Sequence, residues 1–260
     1  MLDIELKQKI EIEYWRHAEH ESPKADSVYN IINKLTDAGV FLDCLKRYQR
    51  ELVTTGRVLE LGGGQGWASC IYKKLFPNTH VTATDISEFA VMSVPKWERI
   101  FNVKIDNSYA IKSYEINEPD ASLDQIFCFA AAHHFLAHKR TLCEISRVLK
   151  PGGKAFYFYE PTTPGYLYSM AYRRVNKKRP QVPEDVLKIP ELRALAKEVG
   201  LEFRLDYYPS LIKRRPFETI YFFILGRIPL LQRLLPCSSN FVFTKKTSDS
   251  YIQTTESTEH

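Results

Sequence analysis

Features that place a chain in a membrane or secretory class are missing from these 260 residues. No run of about 18 consecutive apolar residues occurs, so the sequence predicts no membrane-spanning helix. Residues 1–15 carry too many charges for a secretory signal peptide. We therefore expect a cytoplasmic protein.

Cysteine is scarce. The five cysteines are scattered along the chain, and none forms a CxxC pair. This odd, dispersed set predicts reduced thiols rather than a disulfide framework. We also expect no metal site, because His17 and His20 have no matching cysteine or carboxylate cluster nearby.

A dense basic run with interleaved aromatic residues is missing as well. The net charge of +5 and the pI of about 8.8 are only mildly basic. They are typical of a solvated surface with a slight excess of lysine and arginine. We therefore expect no nucleic-acid partner.

A glycine-dense turn, LELGGGQG at 59–66, is the most informative stretch that is present. It follows a strand predicted at 57–61 and precedes a helix predicted at 66–76. Glycine permits positive φ and leaves no Cβ between the backbone and a ligand. The N–H groups of the following helix then point at the bound group. The pattern predicts a site for a nucleotide-like ligand.

Strands and helices alternate after this turn, which predicts a parallel sheet with helices on both faces. Helices are predicted at 87–101, where Pro95 should cause a kink, at 141–149 and at 190–199. Further strands are predicted at 80–84, 108–111, 124–130, 154–159, 202–208 and 240–244. The last two can close the sheet antiparallel, so the fold class expected is α/β, a doubly wound, mostly parallel sheet of seven strands.

The chain divides into three parts. Residues 1–55 predict a helical cap, with helices at 4–20 and 26–52 and a break near Gly39. Residues 56–246 form the predicted main domain, with an apolar insertion at 211–237. The polar tail at 247–260 is expected to be disordered.

The glycine turn alone leaves NAD, FAD, ATP and S-adenosylmethionine open as ligands. A P-loop is excluded, because no Gly-Lys-Ser/Thr follows. Asp85 ends the second predicted strand, where a carboxylate can accept both ribose hydroxyls of any adenosine cofactor. It therefore does not separate NAD from S-adenosylmethionine.

Three features favour S-adenosylmethionine over NAD. Glu60 lies just before the glycines and can hold an ammonium group, directly or through water. The segment RVLKPGG at 147–153 joins a helix to the fifth predicted strand. The sixth and seventh predicted strands come after it and can close the sheet.

At this point the chain resembles the class I S-adenosylmethionine-dependent methyltransferases of the small-molecule type. The matching segments are 59–66, TATDIS at 82–87, SLDQIFCFAAAHHF at 122–135, and 147–153. The resemblance implies the Rossmann-like methyltransferase fold and S-adenosylhomocysteine as product. The cofactor-binding positions it implies are Glu60, Gly62, Gly63, Gly64, Gly66, Asp85, Ile86, Lys112, Ser113 and Ala130.

One position departs from the family pattern. The family usually has an aspartate near the adenine amino group after the third strand, but Lys112 stands here and is followed by Ser113. Backbone groups and Ser113 are expected to replace the missing carboxylate.

A base is needed when the methyl acceptor is a hydroxyl or an acidic carbon. The candidate catalytic residues are His133 and His134, which follow the fourth predicted strand, and Glu160 at the end of the fifth. Alternatively, one of the two histidines, more readily His134 than His133, could serve only to cap the start of the following helix or to pack against it. Glu160 could likewise be a carboxylate at the rim of the site without a catalytic role.

Two stretches are candidates for the acceptor site. Tyr14, Trp15 and His17 lie in a segment dense in aromatic and ionisable groups, which predicts a lining role or simple packing. The apolar stretch 216–236 predicts a cap over the substrate, a helix at a membrane surface, or a buried cross-over that completes the fold.

The sequence thus predicts a methyltransferase, monomeric or homodimeric, that acts on a small or lipid-like molecule, with O-methylation favoured. A non-catalytic protein that binds the cofactor or its product is the alternative from another class. An NAD-dependent oxidoreductase is disfavoured by Glu60 and by the segment 147–153.

Overall fold

A computed structural model describes residues 4–25, 27–178 and 185–247. Its sheet has seven strands in the order β3-β2-β1-β4-β5-β7-β6. Strands β1 to β5 are parallel to one another, and β7 runs antiparallel to its neighbours β5 and β6. The strands are β1 Gly56–Glu60, β2 Thr79–Asp85, β3 Asn107–Ala110, β4 Leu123–Phe129, β5 Leu149–Thr162, β6 Leu201–Tyr207 and β7 Cys237–Lys245. The doubly wound, mostly parallel sheet is confirmed.

Ten α-helices occur in the part of the chain that the structure describes. They are α1 Ile4–His17, α2 Val28–Arg47, α3 Trp67–Leu75, α4 Glu88–Val91, α5 Val94–Phe101, α6 His138–Val148, α7 Tyr168–Lys178, α8 Ile189–Glu198, α9 Pro216–Arg227 and α10 Pro229–Leu234. None of these described helices has the length and apolar character needed to span a bilayer.

Two predicted helices differ from those observed. The single kinked helix at 87–101 is two helices, because Pro95 stands in the first turn of α5, where a missing N–H costs nothing. The break predicted near Gly39 is wrong, since α2 runs through this residue to Arg47.

The predicted turn at 151–153 belongs to the start of β5, whose register with β4 shifts there. Of the tail, residues 248–260 lie outside the described residues.

Helix α2 packs into the core of the sheet. Phe41 is fully buried and contacts Trp67, Phe127 and Phe158, with ring centroids 5.6 to 6.2 Å apart. Burial of such a ring contributes about 2 kcal/mol or more. The other face of the sheet buries a second cluster around Ile126.

Residues 208–236 connect the antiparallel neighbours β6 and β7 and contain α9 and α10. Leu225 is the buried residue of α9, and α10 has none. The buried cross-over considered for this stretch is therefore wrong, because most of its side chains face solvent.

Candidate functional site

A cleft of about 1900 Å³ lies at the carboxyl ends of the strands. Strand β1 sits between β2 and β4, so the winding direction reverses at this point, where ligands bind in such sheets. The cleft lining includes the expected residues Tyr14, Trp15, His17, Gly62, Gly63, Gly64, Asp85, Ile86, Ser113, Ala130, His133 and His134. The expected residues outside this lining are Glu60, Gly66, Lys112 and Glu160.

The turn after β1 requires glycine at two positions in particular. Gly62 has φ +65°, and a Cβ there would lie 3.0 Å from the Cβ of Ala131. Gly66 has φ +77°, and a Cβ there would lie 2.6 Å from a methyl of Val94. Larger residues would combine backbone strain with a clash, so the turn keeps its backbone open to the cleft.

Asp85, at the end of β2, holds this turn in place. Its carboxylate accepts the Gly64 N–H at 2.9 Å on one oxygen and the Ser87 N–H at 2.9 Å on the other. Each oxygen keeps a lone pair for a further donor. Burial raises the pKa of Asp85 to about 6, against the opposing effect of these N–H donors.

Glu60 lies behind the turn rather than in the lining of the cleft. It is 1% exposed and accepts hydrogen bonds from the Ser69 hydroxyl and, at 3.1 Å, from the Ser69 N–H. A Cβ on Gly63 would lie 2.7 Å from its carboxyl carbon, so only the Gly63 backbone separates it from the ligand side. Burial, with a smaller effect of the Asp85 charge, raises the pKa of Glu60 to about 7.

The wall after β3 departs from the expectation at Lys112. Its side chain is 44% exposed and pairs with Glu115 at 3.4 Å. Ser113 does line the cleft, and its hydroxyl is 2.9 Å from that of Thr141. Sequence reasoning missed Tyr114, a buried residue of this wall whose hydroxyl accepts a hydrogen bond from Gln8 at 2.8 Å.

Two non-glycine residues with positive φ lie at the neighbouring strands, one directly after β4 and one within β5 near its carboxyl end. They are Ala130 at +48° and Tyr159 at +58°. The Tyr159 N–H donates to the Asn240 side chain at 2.8 Å, where the register between β5 and β7 shifts. Such strain is concentrated at functional sites, and it presents the missed residue Tyr159 to the cleft.

His133 and Glu160 form a buried pair at the cleft floor, where His133 lines the cleft and Glu160 lies beneath it. His133 Nδ1 is 2.9 Å from Glu160 Oε2, and the Glu160 side chain is fully buried. The same carboxylate accepts the backbone N–H groups of Ala131, Ala132 and His133 at 2.8 to 3.2 Å. Glu160 is thus engaged by the loop that carries His133 and does not lie at the open rim.

Helix α1 covers the glycine turn. The Trp15 ring is 3.1 Å from the position that a Cβ on Gly64 would occupy. His134 Nδ1 is 3.9 Å from a carboxylate oxygen of Glu11, which brings the loop after β4 to the same helix. His17 lies at the rim, exposed and paired with a neighbouring glutamate on α1.

The Gln65 side chain links the N-terminal segment to the glycine turn through hydrogen bonds. The Gln65 amide donates to the Glu21 carbonyl at 2.6 Å and accepts hydrogen bonds from Asn30 and Trp97 at 3.1 Å. The Tyr14 hydroxyl donates to the Glu21 carboxylate at 2.7 Å. The helical cap is therefore hydrogen-bonded to the turn that it covers.

The far wall of the cleft combines basic and aromatic residues that sequence reasoning did not single out. Arg214 stacks on Phe222, with its guanidinium carbon 3.6 Å from the ring centroid, and is 5.5 Å from the ring of Tyr159. Arg174 and Phe217 belong to the same lining. We name these five residues the acceptor wall.

The site fits S-adenosylmethionine. Asp85 offers free lone pairs at the strand end where the ribose hydroxyls are expected, and the positive-φ glycines leave room beside it. On the resemblance, Glu60 would act on the ammonium end across the Gly63 backbone, and Ile86, which lines the cleft, would face the adenine.

Part of the chain matches a known family model. Residues 59–157 match a family model described as a methyltransferase domain. No curated protein sequence matches the chain.

Several solved structures share the fold. Geranyl diphosphate C-methyltransferase from Streptomyces coelicolor, solved with S-adenosylhomocysteine, has 13% identity and a TM-score of 0.66 over 93% of this chain and 98% of that one. Phosphoethanolamine N-methyltransferase 2 from Haemonchus contortus, solved with S-adenosylmethionine, has 19% identity and a TM-score of 0.58 over 93% of this chain and 57% of that one. The YcgJ protein from Bacillus subtilis has 17% identity and a TM-score of 0.59 over 81% and 100%. Residues 59–157 are thus similar to a methyltransferase domain, and the chain as a whole shares the fold of these S-adenosylmethionine-dependent methyltransferases.

Proposed function

We propose that this methyltransferase transfers the methyl group to a hydroxyl of a small or lipid-like acceptor, with His133 as the general base. The observation that carries the proposal is the His133–Glu160 pair at the cleft floor. A carboxylate only accepts, so the hydrogen bond at 2.9 Å assigns the proton to Nδ1 and leaves the Nε2 lone pair for the acceptor.

The cofactor supplies an electrophilic methyl group on a sulfonium with a good leaving group. His133 Nε2 takes the proton of the acceptor hydroxyl while the oxygen lone pair forms the new C–O bond. Bound S-adenosylmethionine would supply the methyl group and keep the C–S electron pair on sulfur, so the products would be S-adenosylhomocysteine and a methyl ether. Glu160 is a positioning residue, because it orients the imidazole and stabilises its charged form.

The acceptor wall supports an acceptor with an apolar part and an anionic or polar group. Phe217 and Phe222 offer apolar surface, and the Arg214 side chain is held against Phe222 and donates to the Ser238 hydroxyl at 3.0 Å. A guanidinium held in this way is suited to bind a planar or anionic group.

Two measurements test the proposal. Calorimetry with S-adenosylmethionine, S-adenosylhomocysteine and NAD should show binding of the first two, and binding of NAD alone would contradict the assignment. Transfer of a labelled methyl group should then be followed with a panel of hydroxylated amphiphiles. Cofactor binding without transfer to any member of the panel would favour the non-catalytic alternative. A labelled methyl group found on carbon or nitrogen would show C- or N-methylation in place of the proposed O-methylation.

A further inference from the structure

The outward side of α9 is apolar, the reverse of an ordinary surface helix. Phe217, Ile220 and Ile224 recur at three- and four-residue spacing and are 88%, 59% and 43% exposed. An amphipathic helix that only packs on its own domain exposes its polar face instead. This helix thus exposes the surface that others bury.

The exposed surface extends beyond α9. Leu230 and Leu234 of α10 are 63% and 44% exposed, and Met170 of α7 is 59% exposed. The Tyr166 hydroxyl donates to the Leu234 carbonyl, which joins the segment before α7 to α10. We name this surface the apolar face, made of Met170, Phe217, Ile220, Ile224, Leu230 and Leu234.

The connection between β6 and β7 is much longer than the sheet requires. Antiparallel neighbours such as β6 and β7 can be joined by about two residues, yet the chain uses residues 208–236. Hydrogen bonds from side chains to backbone carbonyls hold this connection in place. Tyr221 donates to the Pro236 carbonyl and Gln232 to the Leu225 carbonyl, both at 2.7 Å. A contiguous exposed apolar surface that is held in place marks an interaction site.

Charge decides which partner fits the apolar face. Residues 208–236 contain five basic residues and one acidic residue, and α7 contains four basic and none acidic. Arg215, Arg227 and Arg233 are exposed. A symmetric dimer would bring the same arginines of both copies together, which disfavours a second copy. Apolar side chains fringed by basic ones are suited to an anionic lipid surface.

We propose that the apolar face docks on the surface of an anionic phospholipid bilayer. Met170 and Phe217 belong both to this face and to the cleft lining, so the docked protein opens its cleft toward the lipid. That link to acceptor delivery rests on the proposed function, whereas docking itself does not.

Sedimentation with vesicles tests the docking. The full chain should bind vesicles of phosphatidylglycerol and phosphatidylcholine more tightly than vesicles of phosphatidylcholine alone, and salt should weaken the binding. The double variant Phe217→Ser/Ile220→Ser should lose at least about tenfold in vesicle affinity. The matched control Met92→Ser/Ile100→Ser removes two exposed apolar residues from the opposite end of the sheet and should bind as the parent does.

Charge-reversal variants and a measurement of the oligomeric state complete the test. Arg227→Glu/Arg233→Glu should abolish the preference for anionic vesicles. No vesicle binding by the parent, or binding that Phe217→Ser/Ile220→Ser leaves unchanged, would overturn the proposal. Light scattering that shows a dimer dissociated by the same variant would assign the apolar face to a second copy instead. Calorimetry with S-adenosylmethionine and no vesicles reports separately on the proposed function.

Discussion

In the cofactor half of the cleft the backbone does most of the positioning, whereas in the acceptor half long side chains from distant segments do it. The turn at 62–66 and the end of β2 are held by short backbone contacts, such as the bond from the Gly63 N–H to the Thr84 carbonyl at 2.8 Å. The acceptor wall instead draws on β5, α7, α9 and the loop before α9.

The difference follows from what each half must recognise. One cofactor has a constant shape, so a turn with little freedom can fit it and remain recognisable in a sequence. An acceptor varies between relatives, and side chains on connecting segments can change without disturbing the sheet. The four predictions below test this contrast.

The largest effect is expected at the junction of the two halves. His133→Ala should lower kcat by about 10²–10⁴-fold and leave the Kd of S-adenosylmethionine unchanged, because it removes the base but no cofactor contact. Single-turnover kinetics and calorimetry measure the two quantities. His80→Ala, an exposed histidine of β2 outside the cleft lining, is the control. An unchanged kcat in His133→Ala would remove His133 as the base.

The next effect belongs to the cofactor half alone. Asp85→Ala should weaken S-adenosylmethionine binding by about 1–3 kcal/mol, because a charge-assisted hydrogen bond to the ribose is lost. Calorimetry measures the affinity, and a thermal melt shows whether the Gly64 turn loses stability with its anchor. Unchanged affinity would mean that Asp85 does not contact the ribose.

A smaller, graded effect is expected with pH. Glu60 and Asp85 have pKa values raised to about 7 and about 6 by burial. The cofactor's ammonium favours ionised Glu60, so affinity should rise from pH 5 to pH 8, by up to about tenfold per pH unit below the pKa of Glu60. Without cofactor the sign is opposite. A raised carboxyl pKa means stability that is present near pH 4 and lost as the pH rises through 6 and 7.

Two readouts check this pH dependence. Calorimetry in buffers of different ionisation enthalpy should show proton release on binding at pH 6.5, and thermal melts of the free protein should show lower stability at pH 8 than at pH 5. Glu60→Gln is the matched variant and should lose the release centred near pH 7. Proton uptake in the parent would contradict the assigned role.

The smallest effect is expected at Lys112. Because its side chain is half exposed and pairs with Glu115, Lys112→Ala should change cofactor affinity by less than about 0.5 kcal/mol. Ser113→Ala, within the cleft lining, should change it more. A larger effect at Lys112 than at Ser113 would place Lys112 against the adenine.

Much of the fold and of the cofactor half was predictable from local patterns. Alternating strands and helices identify the sheet, and glycine adopts the positive φ of the turn without strain, so the turn is visible in the sequence. Proline gave partial guidance: a kink was expected at Pro95, but the chain begins a new helix there, since proline is well placed in a first turn.

The sequence by itself determined the sheet, the glycine turn and the class of cofactor, because each is marked by short motifs that can be recognised one by one and by their order along the chain. Only the tertiary structure decided that Glu160 is buried under His133, that Glu60 lies behind Gly63, and that Arg214 meets Phe222 and Tyr159. Those contacts depend on burial and on hydrogen bonds between segments far apart in sequence, which no local pattern encodes. The tertiary structure also decided that the apolar face is exposed. An apolar stretch has the same sequence pattern whether the fold buries it or leaves it at the surface.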